Sequence, residues 1–182
     1  MKWIVFATAS LVLTAISWKS LRNPRSHGFY RFFAWESILA LFLLNVNYWF
    51  VNPFAWNQII SWSLLVVCMI PLVLGVHALR MHGNSTKGRE GDPALYDFEK
   101  TTTLVTDGIY RYIRHPLYSS LLLLAWGIYF KQFSQPGFLL VCAATGFLLL
   151  TAKADESECI QFFGEPYLKY MQSTKMFIPF AI

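Results

Sequence analysis

The sequence predicts an all-α integral membrane protein of about five transmembrane helices, closed by a cytosolic C-terminal amphipathic helix. Three observations carry this: the composition, the length of the apolar runs, and the placement of basic residues between them. Of the 182 residues, 55% are hydrophobic and only 14% charged, well below the roughly 25% charge of soluble domains. Aromatic residues make up 18%, with seven tryptophans, and such rings suit a bilayer interface. A net charge of +5 in a soluble chain would invite a nucleic-acid partner. Here the basic residues fall in the gaps between apolar runs, so they report topology and no nucleic acid is expected.

Five apolar segments stand out, at about Trp3 to Trp18, Phe32 to Val51, Ile59 to Leu79, Leu117 to Phe130 and Phe138 to Ala152. The second and third reach the ~20 residues a helix needs to cross the hydrocarbon. The first is shorter; a signal peptide is the alternative, but Ser17, Trp18 and Lys19 make a poor cleavage site. The fourth and fifth are read as a helical hairpin turning tightly around Gln135, Pro136 and Gly137. From Lys153 to Gln172, Cys159, Ile160, Phe163, Tyr167 and Tyr170 recur at helical spacing among charges, an amphipathic helix that Gly164 and Pro166 must bend or break.

The first gap holds Lys19, Arg22, Arg25 and Arg31, and the third holds Arg80, Lys87, Arg89, Lys100, Arg111 and Arg114. The second gap carries no charge and the fourth only Lys131. Retention of Lys and Arg on the cytoplasmic side then puts the N-terminus outside and the C-terminus in the cytosol, in the cell membrane if the source is bacterial. The organisation expected is one membrane domain over 1–182, with three spans in 1–80 and a cofactor-binding catalytic half in 81–182. The Gly- and charge-rich stretch Gly83 to Asp92 reads as a loop. Cys68, Cys142 and Cys159 are odd in number and lack CxxC spacing, so neither a disulfide framework nor a metal site is expected. Glu36, Asn45, Asn47 and His77 sit within spans, where polar side chains are functional candidates and one helix-to-helix hydrogen bond for each is the plainer account; they are left out of the candidate site.

Two polar constellations interrupt this apolar plan. Leu104 to Ser120 reads LVTDGIYRYIRHPLYSS, placing two arginines, a histidine and three tyrosines at the mouth of an apolar span. Charge there is costly unless a partner or polar ligand satisfies it, although a cytoplasmic boundary with an interfacial tyrosine belt reads the same way. Asp155 and Glu156, with Glu158 close behind, follow the fifth span. They need counter-charges that Arg111, Arg114 or His115 would supply if the segments meet.

The run GIYRYIRHPLY, followed some forty residues later by DESECIQFFGEPYLKY, resembles the paired signature of the isoprenylcysteine carboxyl methyltransferase and phospholipid methyltransferase family. The resemblance covers roughly the C-terminal 100 residues. It implies an S-adenosyl-L-methionine cofactor and methyl transfer to a lipophilic acceptor, namely a small molecule, a lipid head group or a prenylcysteine-like carboxylate, at the cytosolic face. Position by position, Gly108, Tyr110, Arg114, His115, Pro116 and Tyr118 occupy the first motif, and Glu156 the second acidic position. Gly164, Tyr167 and Tyr170 complete the later pattern, and Gly83 and Asn84 resemble a preceding Gly-Asn element. The resemblance implies Leu104, Val105, Gly108, Tyr110, His115, Pro116, Tyr118, Asp155 and Glu156 as cofactor-binding. Arg114, His115 and Glu156 are then the catalytic candidates, and Arg111, Tyr167, Tyr170 and Lys175 the substrate-binding ones. Asp155 stands where Glu is usual, Ser120 where many members have Gly, and Ser173 where prenylcysteine enzymes carry a cation, with Lys175 displaced by two.

These residue types suit the chemistry. In-line displacement at a sulfonium asks a protein to position and desolvate the reactants. Arg and His suit the cofactor's carboxylate, an acid its ammonium, and aromatic faces its cationic centre. A carboxylate acceptor needs only orientation by Arg114, Arg111 or Lys175, whereas a lipid amine needs a base such as His115 or Glu156. Two other classes remain, a nicotinamide-using membrane reductase of sterol-reductase-like architecture and a non-enzymatic scaffold or transporter; cofactor binding separates them. Membrane lipids are the expected surroundings, and the oligomeric state is not legible.

Overall fold

The computed structural model describes residues 1–83 and 100–179. The expected loop beyond Gly83, and with it Asn84, lies outside the described residues. Seven α-helices follow in order: α1 (Lys2–Leu21), α2 (His27–Asn45), α3 (Trp56–Val67), α4 (Met69–His82), α5 (Pro116–Tyr129), α6 (Gln135–Phe163) and α7 (Glu165–Ser173). Among the described residues, α1, α2 with its 3-10 extension to Tyr48, α3 with α4, and α6 are long and apolar enough to cross a membrane, and α5 is a shorter apolar helix. The chain is therefore an all-helical protein built for multiple membrane crossings.

Its solvent preference shows on the surface. Trp3, Leu11, Ile16, Phe54, Val66, Ile70 and Val73 all lie exposed, an apolar area far beyond what a water-facing protein tolerates. Small residues let helices approach closely inside. Ala34 and Leu41 of α2 meet Ala144, Leu148 and Ala152 of α6, all nearly inaccessible, and α2 against α6 is the most extensive helix pairing. At Gly75 of α4, an added Cβ would sit 3.0 Å from Pro116 Cγ at the start of α5.

The third apolar run is not one helix. It divides at Cys68, because Pro71 lacks the N–H that would reach the Val67 carbonyl and its ring crowds that oxygen. The hairpin turn also lies earlier than expected. Helix α5 ends at Tyr129 and α6 begins at Gln135, so Gln135, Pro136 and Gly137 form the first turn of α6. The Ser134 side chain caps that turn, accepting from the Gly137 N–H at 3.1 Å, and proline is tolerated there.

Polar residues within the spans serve the end of α5, whose last carbonyls lack helical partners. Ser61 donates to the Gly127 carbonyl at 2.7 Å, Asn45 to Ile128 at 2.9 Å, and Asn57 to Phe130 at 3.1 Å. Glu36 instead accepts from Ser10 of α1 at 2.6 Å. Lys131, only 1% exposed, donates to Gln58 Oε1 at 3.1 Å and lies 3.6 Å from the Trp62 ring centre. Burial pushes its pKa down to about 8, against ~10.4 in an unfolded chain. Between those values the unfolded state binds more protons, so stability rises with pH across that window. Thermal melts in detergent should show this rise in the wild type and lose it in Lys131→Met.

Candidate active site

The first motif begins with a short 3-10 turn over Gly108–Arg111. Gly108 adopts φ +62° there, a conformation open to glycine and unfavourable for most side chains. His115 is the N-cap of α5, and Pro116 takes the first helical position, where its missing N–H costs nothing. The second constellation lies on the last turns of α6. That helix stops at Gly164, whose φ of +65° turns the chain into α7.

The two meet through Arg114. Its Nε donates to Glu156 Oε1 at 2.7 Å, and its Nη1 donates to the carbonyls of Met171, at 3.2 Å, and Thr174. Both side chains of the Arg114–Glu156 pair are 10% exposed, so this is a buried ion pair held by extra hydrogen bonds. His115 lies 3.5 Å from Asp155 Oδ2 through Nδ1 and 3.4 Å from Glu156 Oε1 through Nε2. Burial alone would lower its pKa, yet the hydrogen bonds and charges of the two carboxylates prevail and raise it above the usual histidine value. Tyr118 donates to Asp155 Oδ2 at 3.2 Å and stacks on His115 with ring centres 5.4 Å apart.

The chain after α7 straps this assembly. Arg114 N–H donates to the Lys175 carbonyl at 2.8 Å, His115 N–H to Met176 at 3.1 Å, and Lys175 N–H to Tyr112 at 3.1 Å. Phe177 is buried beside His115 and Tyr118, and Ser119 donates to its carbonyl at 2.8 Å. Tyr170 of α7 donates to the Tyr110 carbonyl at 2.7 Å. Burial drives the pKa values of Tyr167 and Tyr170 far above the ordinary phenol value, so both stay neutral.

A cavity of ≈ 690 Å³, counting its open mouth, lies among these elements. Leu104, Val105, Tyr110, Arg114, His115, Pro116, Tyr118, Asp155, Tyr167 and Tyr170 line it. Glu156 stands behind it, bonded to Arg114 and His115. Gly108 shapes the turn leading in. Arg111 lies elsewhere, in a second cleft of ≈ 570 Å³ with Lys169 and Ser173. Lys175 lies in neither; its backbone makes the strap. Leu79, Thr101, Leu117, Cys159 and Phe163 also line the cavity without having been singled out for it. Cys159 and Phe163 follow Asp155 at steps of four along α6, a same-face spacing that could have revealed them. Nothing in the sequence pattern points to Thr101 or Leu79.

A cavity with convergent charged groups, walled by aromatic rings at the end of a bundle of membrane-crossing helices, has the features of a small-molecule binding site. The phospholipid methyltransferase family model matches residues 67–165, and the chain belongs to that family of membrane methyltransferases. Methanethiol S-methyltransferase 1 from Bradyrhizobium diazoefficiens is 26% identical over 181 residues, covering 97% of this chain and 53% of the relative. The chain thus spans about half the length of the curated relative it matches. No solved structure matches it.

Proposed function

We propose that the chain transfers a methyl group from S-adenosyl-L-methionine to an apolar acceptor in the cavity, with the catalytic half facing the cytosol. The observation that carries this reading is the junction of Arg114, His115 and Tyr118 with Asp155 in one aromatic-walled cavity. The residues fit the cofactor. Asp155 suits its ammonium, His115 its carboxylate, and Tyr110, Phe163 and Tyr167 its adenine and cationic centre. When bound, the cofactor supplies an electrophilic methyl on a sulfonium. The protein's own residues then orient the reactants and exclude water. In this reading residues 1–80 are the scaffold and 81–182 the catalytic half of one membrane domain.

The acceptor is the finer question. A carboxylate acceptor would need a cation at the cavity, but Arg114 commits Nε and Nη1 to Glu156 and backbone carbonyls. Arg111 and Lys175 lie outside the cavity lining. These placements favour an acceptor that brings no negative charge and sheds a proton, as a thiol does, in keeping with the name of the relative. That proton passes to solvent through the cavity's open mouth, Asp155 being held as an anion by His115 and Tyr118. A lipid-amine acceptor is the second reading, favoured by the neighbouring cleft: Arg111 and Lys169 suit a head-group phosphate, and Tyr170 lines both sites.

Purified protein should be incubated with methyl-labelled cofactor and, separately, an alkyl thiol, phosphatidylethanolamine vesicles or a prenylated cysteine. A labelled thioether supports the first reading and a labelled phospholipid the second. A labelled ester would overturn the argument from Arg114, and no label in any acceptor would remove the enzyme reading. Orientation is tested in a Cys142→Ser background. Ser173→Cys should react with membrane-impermeant maleimide from the cytosolic side only, and Phe54→Cys from the outside only; reversal would deny the cavity its cofactor supply.

A further inference from the structure

Behind the cavity wall lies a cluster that shares only Asp155 with the methyl-transfer site. His27 is the first residue of α2 and is 0% exposed. Its Nδ1 lies 2.5 Å from Glu158 Oε2, and its backbone N–H donates to Glu158 Oε1 at 2.9 Å. Its second ring nitrogen, Nε2, is buried without a hydrogen-bond partner. Asp155 and Glu158 stand three residues apart on α6, hence on one face. One donor atom from each of His27, Asp155 and Glu158 falls within 4.8 Å of the others.

We propose that His27, Asp155 and Glu158 bind one divalent transition-metal ion, clipping the start of α2 to the cavity wall. One imidazole and two carboxylates form a nitrogen-and-oxygen donor set suited to zinc, manganese, iron or cobalt rather than to calcium or magnesium. With His27 neutral, the three groups carry two negative charges, which a divalent ion neutralises in a place where charge is otherwise expensive. Donors about 2.1 Å from a shared tetrahedral ion lie roughly 3.4 Å apart. The trio reaches that spacing if the His27–Glu158 contact opens slightly and the outermost donor moves in. The ion takes the place of the proton now shared by His27 and Glu158, as metals do when they bind imidazole and carboxylate. Asp155 then joins ion and cavity, since it also lines the methyl-transfer site. Glu156 is outside the trio, being held by Arg114.

The test reads metal rather than methyl transfer, so it stands or falls separately from the acceptor. Full-length protein in detergent is stripped with a chelator, dialysed against cobalt(II) or zinc(II) and passed through a desalting column. The expected result is one ion per chain, with visible cobalt bands shifted from those of the aqueous ion. His27→Gln and Glu158→Gln should bring metal content to background while circular dichroism stays unchanged. If a variant misfolds, the wild type alone decides: metal must raise its melting temperature, and lowering the pH must release the ion. Wild-type protein without retained metal, or folded variants that retain as much as the wild type, would overturn the proposal and leave a proton-bridged His27–Glu158 pair.

Discussion

Replacing Arg114 with methionine is expected to lower stability by about 3–5 kcal/mol, the cost of leaving one member of a buried ion pair behind. Glu156 loses its 2.7 Å partner and keeps only the longer contact to His115. The Met171 and Thr174 carbonyls lose the guanidinium donor in the same step. Arg114→Lys keeps the charge but not the forked geometry, so it should fall between the two. Thermal unfolding in detergent checks the order wild type, Lys, Met. Equal melting temperatures for all three would show that the carboxylate is solvated and that Arg114 is not the hub.

Phe177→Ala should cost about 3–5 kcal/mol, the usual range for removing a buried phenylalanine ring, although Phe177 does not line the cavity. Its ring is 5% exposed, in a cluster with Ala34, Tyr118, Leu148 and Ala152. Its loss unpins the strap whose carbonyls accept from the Arg114 and His115 amides. Those two amide protons should therefore exchange faster with solvent, and the activity should fall with them. A variant with wild-type exchange at both amides would mean that the strap holds without its anchor.

The spans were legible because an apolar run long enough for a bilayer has few other uses, and α1, α2 and α6 lie where the runs do. Breaks inside helices were less so. Pro71 lies inside the third run and divides it, while Pro136 lies between two runs and starts α6 behind the cap at Ser134. The meeting of the two motifs was legible as complementary charge, Arg114 and His115 against Asp155 and Glu156. Which arginine faces the carboxylates was not, because Arg111 sits on the 3-10 turn and opens into another cleft. His27 and Glu158 are 131 residues apart. No local pattern joins them, since their pairing follows from the packing of α2 on α6.

Titration calorimetry of S-adenosyl-L-methionine into the purified wild type and Asp155→Asn tests the central claim most directly. Asparagine preserves the volume of Asp155 and removes the charge that lines the cavity, so the loss reads a charge-assisted contact of about 1.5–3 kcal/mol. Saturable binding to the wild type is expected, with affinity at least about tenfold weaker in the folded variant. No binding to the wild type, or equal affinity for the two proteins, would contradict that claim.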